Sequence, residues 1–331
     1  MSRMHKRLTD DLTEKNRDGY WFETLRCPGC RARLHGDTAL TCKGCRRTYP
    51  VHDGIPRFVP EDNYGKSFGY QWNLHRLTQL DSHVGLPVSK DRLLRESGWT
   101  ADELRGREIL ECGSGAGRFT EVLCQTGAAV TSFDLSNAVD ANAVSNGRFA
   151  NLRLFQASIY DMPLADESFD YLVCLGVIQH TPDVERAFKT IFRYLRPGGK
   201  FCIDVYAAIV AYPHLRQLLR PVTKRIPPSK LYSVVQSITP RLLPVSMRLS
   251  AVPWVGDYLA RLVPVANHRH LGLTDAEILR TWSILDTFDW LSPQFERPQP
   301  RRRLERWCRD LHLSEFTVER IRGLYVVRGT K

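Results

Sequence analysis

The sequence predicts an α/β protein built around a doubly wound, mostly parallel sheet. Three observations lead there: apolar runs alternate with helix-like stretches between residues 101 and 206, a glycine-rich turn follows the first run, and the chain closes on two runs split by Arg322-Gly323. The runs at 109–110, 128–133, 152–156, 171–175 and 201–206 read as strands. Strands alternating with amphipathic helices argue for a parallel sheet covered on both faces. The closing runs, 316–321 and 324–327, also read as strands.

At 331 residues the chain is long enough for two domains, or for one large domain with insertions. Composition divides it further. Residues 1–60 carry two cysteine pairs and a short β-like run; 61–100 form a polar connector with an aromatic island at Phe68, Tyr70 and Trp72; 101–206 and 274–331 carry the α/β pattern. Residues 207–273 break the rhythm with prolines at 213, 221, 227, 228, 240, 244, 253 and 264, which predict short helices. The same segment holds Arg216, Arg220, Lys224, Arg225, Lys230, Arg241, Arg248, Arg261 and Arg269 against one acid, Asp257.

A hydrophobic content of 43% and a charged content of 25% belong to an ordinary globular protein. No apolar run is long enough for a membrane span, and the polar, charged residues 1–20 lack the apolar core of a secretory signal. The cytoplasm is therefore the expected compartment. A net charge of +11 favours anionic partners without choosing among nucleic acid, membrane surface and acidic small molecules. Of nine cysteines, Cys112, Cys124, Cys174, Cys202 and Cys308 are scattered singly, and those in apolar runs are expected to be buried thiols.

The run ending at Glu111 enters a turn with glycines at 113, 115 and 117, and residues 118–125 read as the following helix. Glycines there let the backbone turn tightly and approach a ligand. The next strand ends in Asp134, 21 positions after Gly113, where a carboxylate can accept both hydroxyls of a ribose. A dinucleotide fingerprint needs G-x-G-x-x-G, but Arg118 stands where the last glycine belongs, and Glu111 would repel a pyrophosphate. The pattern suits a neutral or cationic ligand bearing an adenosine.

These residues resemble class I S-adenosylmethionine-dependent methyltransferases of the type 11 group, over roughly residues 68–206 and again near the C-terminus. The resemblance implies a Rossmann-like sheet with a reversed C-terminal hairpin strand, and S-adenosyl-L-methionine as cofactor. It assigns Glu111, Gly113, Ser114, Gly115 and Gly117 to the methionine end, Asp134 and Leu135 to the ribose, and Ser158, Ile159 and Gly176 to the rest of the cofactor site. The group places an acid where this chain has Ser158 in Gln156-Ala157-Ser158, so adenine binding here would rest on a hydroxyl.

Methyl transfer needs alignment of the nucleophile and exclusion of water, and a hydroxyl acceptor gains from a base. His180, beyond the fourth strand, is the candidate catalytic residue; it reads either as that base or as a residue that positions substrate or binds loop backbone. A block from Asp286 to Pro293 resembles one common in the subgroup, and Asp286, Asp289 and Trp290 are candidate substrate residues; a loop with an Asx cap and a packed tryptophan is the alternative. The island at Phe68–Trp72 resembles a segment that folds over the cofactor, or is core packing.

Cys27-x-x-Cys30 and Cys42-x-x-Cys45 are two matched knuckles that present four thiolates to a tetrahedral zinc. With the β-like run after them, residues 1–60 resemble a Trm112-like zinc ribbon. Four cysteines close the coordination sphere, so the zinc would be structural.

The basic segment 207–273 sits where such a fold grows a substrate lid. Its apolar residues Leu215, Leu218, Leu219 and Val222, and Trp254, Val255, Tyr258, Leu259, Leu262 and Val263, fall at helical spacing. They either pack on the main domain or lean on an anionic membrane, which would make the protein membrane-peripheral. Three functions are carried forward: a methyltransferase for a small-molecule, glycan or lipid-linked acceptor, at oxygen; an RNA methyltransferase gripping phosphates with the ribbon and lid; and a non-catalytic scaffold.

Overall fold

The computed structural model describes residues 21–208 and 214–331. Residues 1–20, which the sequence reads as lacking the apolar core of a secretory signal, and the proline at 213 lie outside the described residues. Two sheets organise the chain. Strands β1 (Leu34–His35), β2 (Ala39–Cys42), β3 (Thr48–His52) and β4 (Ile55–Pro56) form an antiparallel ribbon in sequence order. Strands β5 (Glu108–Cys112), β6 (Ala129–Asp134), β7 (Leu152–Gln156), β8 (Phe169–Cys174), β9 (Leu195–Tyr206), β10 (Ser314–Ile321) and β11 (Leu324–Thr330) form the main sheet, in the order β10-β11-β9-β8-β5-β6-β7.

Strands β5 to β9 pair in parallel, and β11 lies antiparallel between β9 and β10. The expected reversed hairpin strand is thus inserted next to β9. The sheet is Rossmann-like and doubly wound. Its strand order reverses at β5, which pairs with β6 on one side and β8 on the other. Crossovers leave in opposite directions there, opening a crevice at the strands' C-terminal ends.

Alternation along the strands sorts side chains onto two faces. Leu110, Cys112, Phe133, Phe155, Leu172, Cys174, Phe201 and Ile203 fill one core, while Ile109, Val130, Leu154, Tyr171, Val173 and Cys202 fill the other. Ribbon residues Phe22, Leu25, Leu34 and Leu40 belong to the first of these cores, so the ribbon does not stand apart. Arg31 fastens it by donating to the carbonyls of Met162 (3.1 Å) and Leu164 (2.6 Å) and to Asp166. All five singly placed cysteines are buried free thiols.

Several expectations need correction. The polar connector holds helices Lys66–Leu74 and Val88–Ser97. Strand β9 starts at Leu195 and runs through Pro197-Gly198-Gly199, because Gly198 and Gly199 hydrogen-bond with Lys331 beyond β11. The block at Asp286–Pro293 is no loop: it begins inside helix Ala276–Leu291, capped at its N-terminus by Asp275.

The insert is corrected too. Its prolines do not reduce it to short helices, since Pro228–Ser250 is one helix of 23 residues. Pro228 stands at its first position, where no N–H is needed. Pro240 and Pro244 lie off the buried stripe, and each costs the helix one backbone bond. That stripe is Leu231, Val235, Thr239 and Leu243, four residues apart. Leu231 and Val235 pack with Ile284, Phe288 and Leu291 of helix Ala276–Leu291, joined by Tyr70 and Tyr232. The other apolar stripe mostly does not pack on the main domain: Trp254, Val255, Tyr258 and Leu262 are exposed.

Phe288 is fully buried where insert, helix Ala276–Leu291 and helix Lys66–Leu74 meet. Phe288→Ala should destabilise the protein by about 3–5 kcal/mol, read as a lower urea midpoint at unchanged slope.

Candidate functional site

The cavity above the crevice is walled on one side by the glycine turn. Gly113, Ser114, Gly115, Asp134, Leu135, Ile159 and Gly176 all line it. Gly113 has φ 76°, and a Cβ there would lie 2.4 Å from Val177 Cγ2. Gly117, with φ 91°, caps helix Arg118–Gln125, and a Cβ there would strike Asn142 and Asn146. Local packing thus requires glycine at both positions, while Gly113 and the backbone after it reach the cavity and Trp72 lies over Gly115.

Asp134 is bound from both sides. Its Oδ2 accepts the Gly115 N–H at 2.9 Å, and its Oδ1 accepts the N–H and hydroxyl of Ser136. Burial raises its pKa against these bonds. Oδ2, with one donor, keeps a lone pair for a further one, while Oδ1 is already filled by Ser136.

Three predicted cofactor residues are not in the cavity lining. Glu111 lies beneath the turn, where Oε2 accepts from Thr120 and Ser132 (2.7 Å) and Oε1 has no partner. Burial pushes its pKa up to about 7. Gly117 is in packing contact as described. The Ser158 hydroxyl accepts the Tyr160 N–H at 3.2 Å, a local turn bond.

The opposite wall carries His180, Asp286, Asp289 and Trp290. His180 closes a short helical turn after β8. Its Nδ1–H donates to the Phe295 carbonyl at 3.0 Å, and its ring meets Phe68 and Tyr206 edge-on. That bond leaves Nε2 as an acceptor. Burial, with Arg220 and Arg216 nearby, pushes its pKa down to about 4.

Asp286, Asp289 and Trp290 share one face of helix Ala276–Leu291 at helical spacing. Asp289 accepts from Gln71 Nε2 at 2.7 Å, and burial pushes its pKa up to about 7. Asp286 accepts from Gln79 Nε2 at 3.1 Å and lies 3.1 Å from His268 Nε2. Trp290 lies under the Arg216 guanidinium, 4.3 Å from it, and its carbonyl accepts from Arg220.

Other lining residues were not among the sequence candidates: Tyr64, Gln79, Arg92 and Tyr206, with Arg118 noted only for displacing a glycine. Gln79 joins the two walls, accepting from Arg118 Nη1 at 2.8 Å while donating to Asp286. Arg92 reaches Asp204, whose other oxygen accepts the Gly176 N–H. The only sequence signal for these residues was the entrance island, which does deliver Phe68 and Trp72 to the cavity.

In the ribbon, the sulfurs of Cys27, Cys30, Cys42 and Cys45 lie within 4.8 Å of one another, with Cys30–Cys42 at 3.3 Å and Cys27–Cys45 at 3.6 Å. A tetrahedron with metal–sulfur bonds of about 2.3 Å has edges of about 3.8 Å, so the set fits a zinc ion. The N–H groups of Gly44 and Cys45 point at Cys42 Sγ, as donors to a metal-bound thiolate do.

Residues 110–203 match a family model described as a methyltransferase domain, and residues 21–54 match one described as Trm112p-like protein. A ubiquinone biosynthesis O-methyltransferase of Pseudomonas fluorescens is 32% identical over 100 residues, covering 29% of this chain and 43% of that protein. Its counterpart in Coxiella burnetii is 30% identical over 99 residues, covering 29% and 42%. The chain thus spans less than half the length of these relatives. Among solved structures, an S-adenosylmethionine-dependent methyltransferase from Mesorhizobium loti aligns at 28% identity over 38% of this chain and 57% of that one, with a TM-score of 0.33. A candidate S-adenosyl-L-methionine-dependent methyltransferase from Methanococcus maripaludis aligns at 14% identity over 82% and 96%, with a TM-score of 0.44. The glycine-turn side of the switch-point cavity thus lies within a segment that matches a methyltransferase domain, and the four-cysteine ribbon within one that matches a Trm112p-like protein.

Proposed function

We propose that this chain transfers a methyl group from S-adenosylmethionine to an oxygen of a small-molecule, glycan or lipid-linked acceptor. The observation that carries this reading is one cavity lined both by the glycine turn with Asp134 and by His180, Asp289 and Trp290. O-methyl transfer is also the activity in the relatives' names. An exposed apolar face on the insert suits an amphiphilic acceptor better than RNA.

When bound, S-adenosylmethionine supplies an electrophilic methyl group on a positively charged sulfur. Gly113 to Gly115 and Gly176 hold its methionine end, and Asp134 its ribose. The entrance helix, with Phe68 and Trp72, excludes water. Asp289, with a pKa near 7, takes the hydroxyl proton, because proton affinity near the working pH suits a general base. His180, at about 4, is neutral and holds little proton, so it orients the hydroxyl through Nε2 while the Phe295 carbonyl fixes its ring.

The four cysteines hold a structural zinc that staples a ribbon whose strands are two to five residues long. The purified protein should carry one zinc, measured by mass spectrometry, and Cys30→Ser should lower both zinc content and melting temperature.

Asp134→Ala should weaken S-adenosylmethionine binding about 10- to 100-fold by isothermal titration, the loss of hydrogen bonds to a charged group. Unchanged affinity would remove Asp134 from the site. Activity should rise as pH passes through 7 and Asp289 ionises. Asp289→Asn should abolish that rise and cost about 10²- to 10⁴-fold in kcat. It should also change stability, with a definite sign. Asp289 releases its proton near its ordinary value of 3.8 when unfolded but near 7 when folded, so the native state loses stability as pH rises between them. Asp289→Asn should flatten that slope of melting temperature. His180→Gln, which keeps an acceptor, should stay within about tenfold of the native rate and leave the pH profile unmoved, whereas a proton-carrying His180 would lose the larger factor typical of a base.

A further inference from the structure

We propose that the outer face of the insert is a docking surface for an anionic lipid bilayer, with Trp254 as its anchor. The inference deepens the lipid-linked acceptor reading but uses no part of the cofactor site.

The insert has an inner and an outer side. Inside, Arg220 donates to the carbonyls of Trp290 and Pro293, and Thr223 to that of Leu291, which pins helix Leu215–Thr223 against the end of helix Ala276–Leu291. Outside, the same helix presents Leu218 at 67% exposure and Val222 at 64%. The Leu215 N–H donates to the Arg261 carbonyl, which sets this helix beside the segment after Gly256–Ala260. That segment adds Leu262, 65% exposed. Soluble surfaces scatter apolar residues singly, so a cluster of large ones on adjoining elements marks a contact.

Trp254 is the extreme case. It is 98% exposed and holds a left-handed backbone conformation, φ 67°. Bulky non-glycine residues rarely adopt that conformation, and strain of this kind gathers at functional sites. Here the strained turn carries an indole out of the fold. Tryptophan favours the membrane–water boundary, where its ring is buried among headgroups and its N–H stays wet.

Charge selects the occupant. Lys224, Arg225, Lys230, Arg241 and Arg248 are exposed, and among the described residues none of them forms an ion pair with a carboxylate. Asp257 is the only acid of the insert. Exposed apolar side chains on an insert rich in uncompensated cations match a bilayer bearing anionic headgroups: the hydrocarbon takes up the first and the phosphates attract the second. RNA would satisfy the cations, and its bases could stack on Trp254, but it would leave the aliphatic Leu218, Val222 and Leu262 in water. The insert also reaches the cavity, since His268 touches Asp286, so a docked enzyme would meet an acceptor presented at the membrane.

The test is co-sedimentation of the full chain, without cofactor, with vesicles of phosphatidylcholine alone or with about 30% phosphatidylglycerol. Binding should appear on the anionic vesicles and fall on the order of ten-fold when salt is raised to about 0.5 M, which shortens the Debye length below 10 Å. Trp254→Ser with Leu262→Ser, and separately Lys224→Glu with Arg225→Glu, should each reduce it on the order of ten-fold. Circular dichroism and S-adenosylmethionine titration on the same samples should be unchanged, which separates loss of docking from loss of the fold or of the methyltransferase reading. Three results would overturn the proposal: no binding to anionic vesicles at low salt; binding that neither pair of substitutions alters; or a native dimer in sedimentation equilibrium that the Trp254 pair turns into a monomer, since a second copy would then cover this face.

Discussion

The hydrogen bond from the Gly115 N–H to Asp134 is the contact on which the site depends. It fastens the turn leaving β5 to the end of β6, at the place where the strand order reverses. Beneath it, Glu111 binds Thr120 and Ser132, tying the same turn to helix Arg118–Gln125 and to β6 from below. A carboxylate buried with one unpartnered oxygen is costly. The cost is reduced by holding a proton, and that is what a pKa near 7 describes. The turn is therefore clamped by two acids with different tasks, one facing the cavity and one locked in the core.

The second wall depends on a different device. Helix Ala276–Leu291 shows one face to the insert through Ile284, Phe288 and Leu291 and another to the cavity through Asp286, Asp289 and Trp290. The insert braces the helix, the helix carries the acids, and Gln79 connects Asp286 back to Arg118 at the start of the helix after the glycine turn. The two walls of the cavity are thus linked by hydrogen-bonded side chains. The ribbon acts elsewhere: it shares a core with β6 and β7, and β4 meets the exposed edge of β7 through Arg57 and Gln156, which covers an edge that would otherwise invite pairing.

Most of the main sheet was legible because period-two alternation and glycine punctuation are local. The parallel strands, the closing hairpin, the glycine turn, Asp134 and the cysteine knuckles could all be read from a few residues at a time. The misreadings share a cause. Pro240 and Pro244 are strong local breakers, yet the helix around them survives, with Leu231 and Val235 packed against helix Ala276–Leu291, distant in sequence. For the Asp286 block, the loop alternative fails, although its acids and Ser292-Pro293 carry turn chemistry, because Phe288 and Leu291 are held by distant partners.

The sequence by itself determined the α/β class, the cofactor-side turn and the metal-type cysteine set, because short-range spacing encodes each. Tertiary structure alone decided which residues share the cavity: Gln79, Arg92 and Tyr206 come from elements with no motif and meet only when the sheet is covered. It also decided protonation, because the values near 7 for Asp289 and near 4 for His180 come from burial. And it decided that Trp254 faces water. Apolar spacing announces that a helix has a face, but only the packed chain shows which faces are left uncovered.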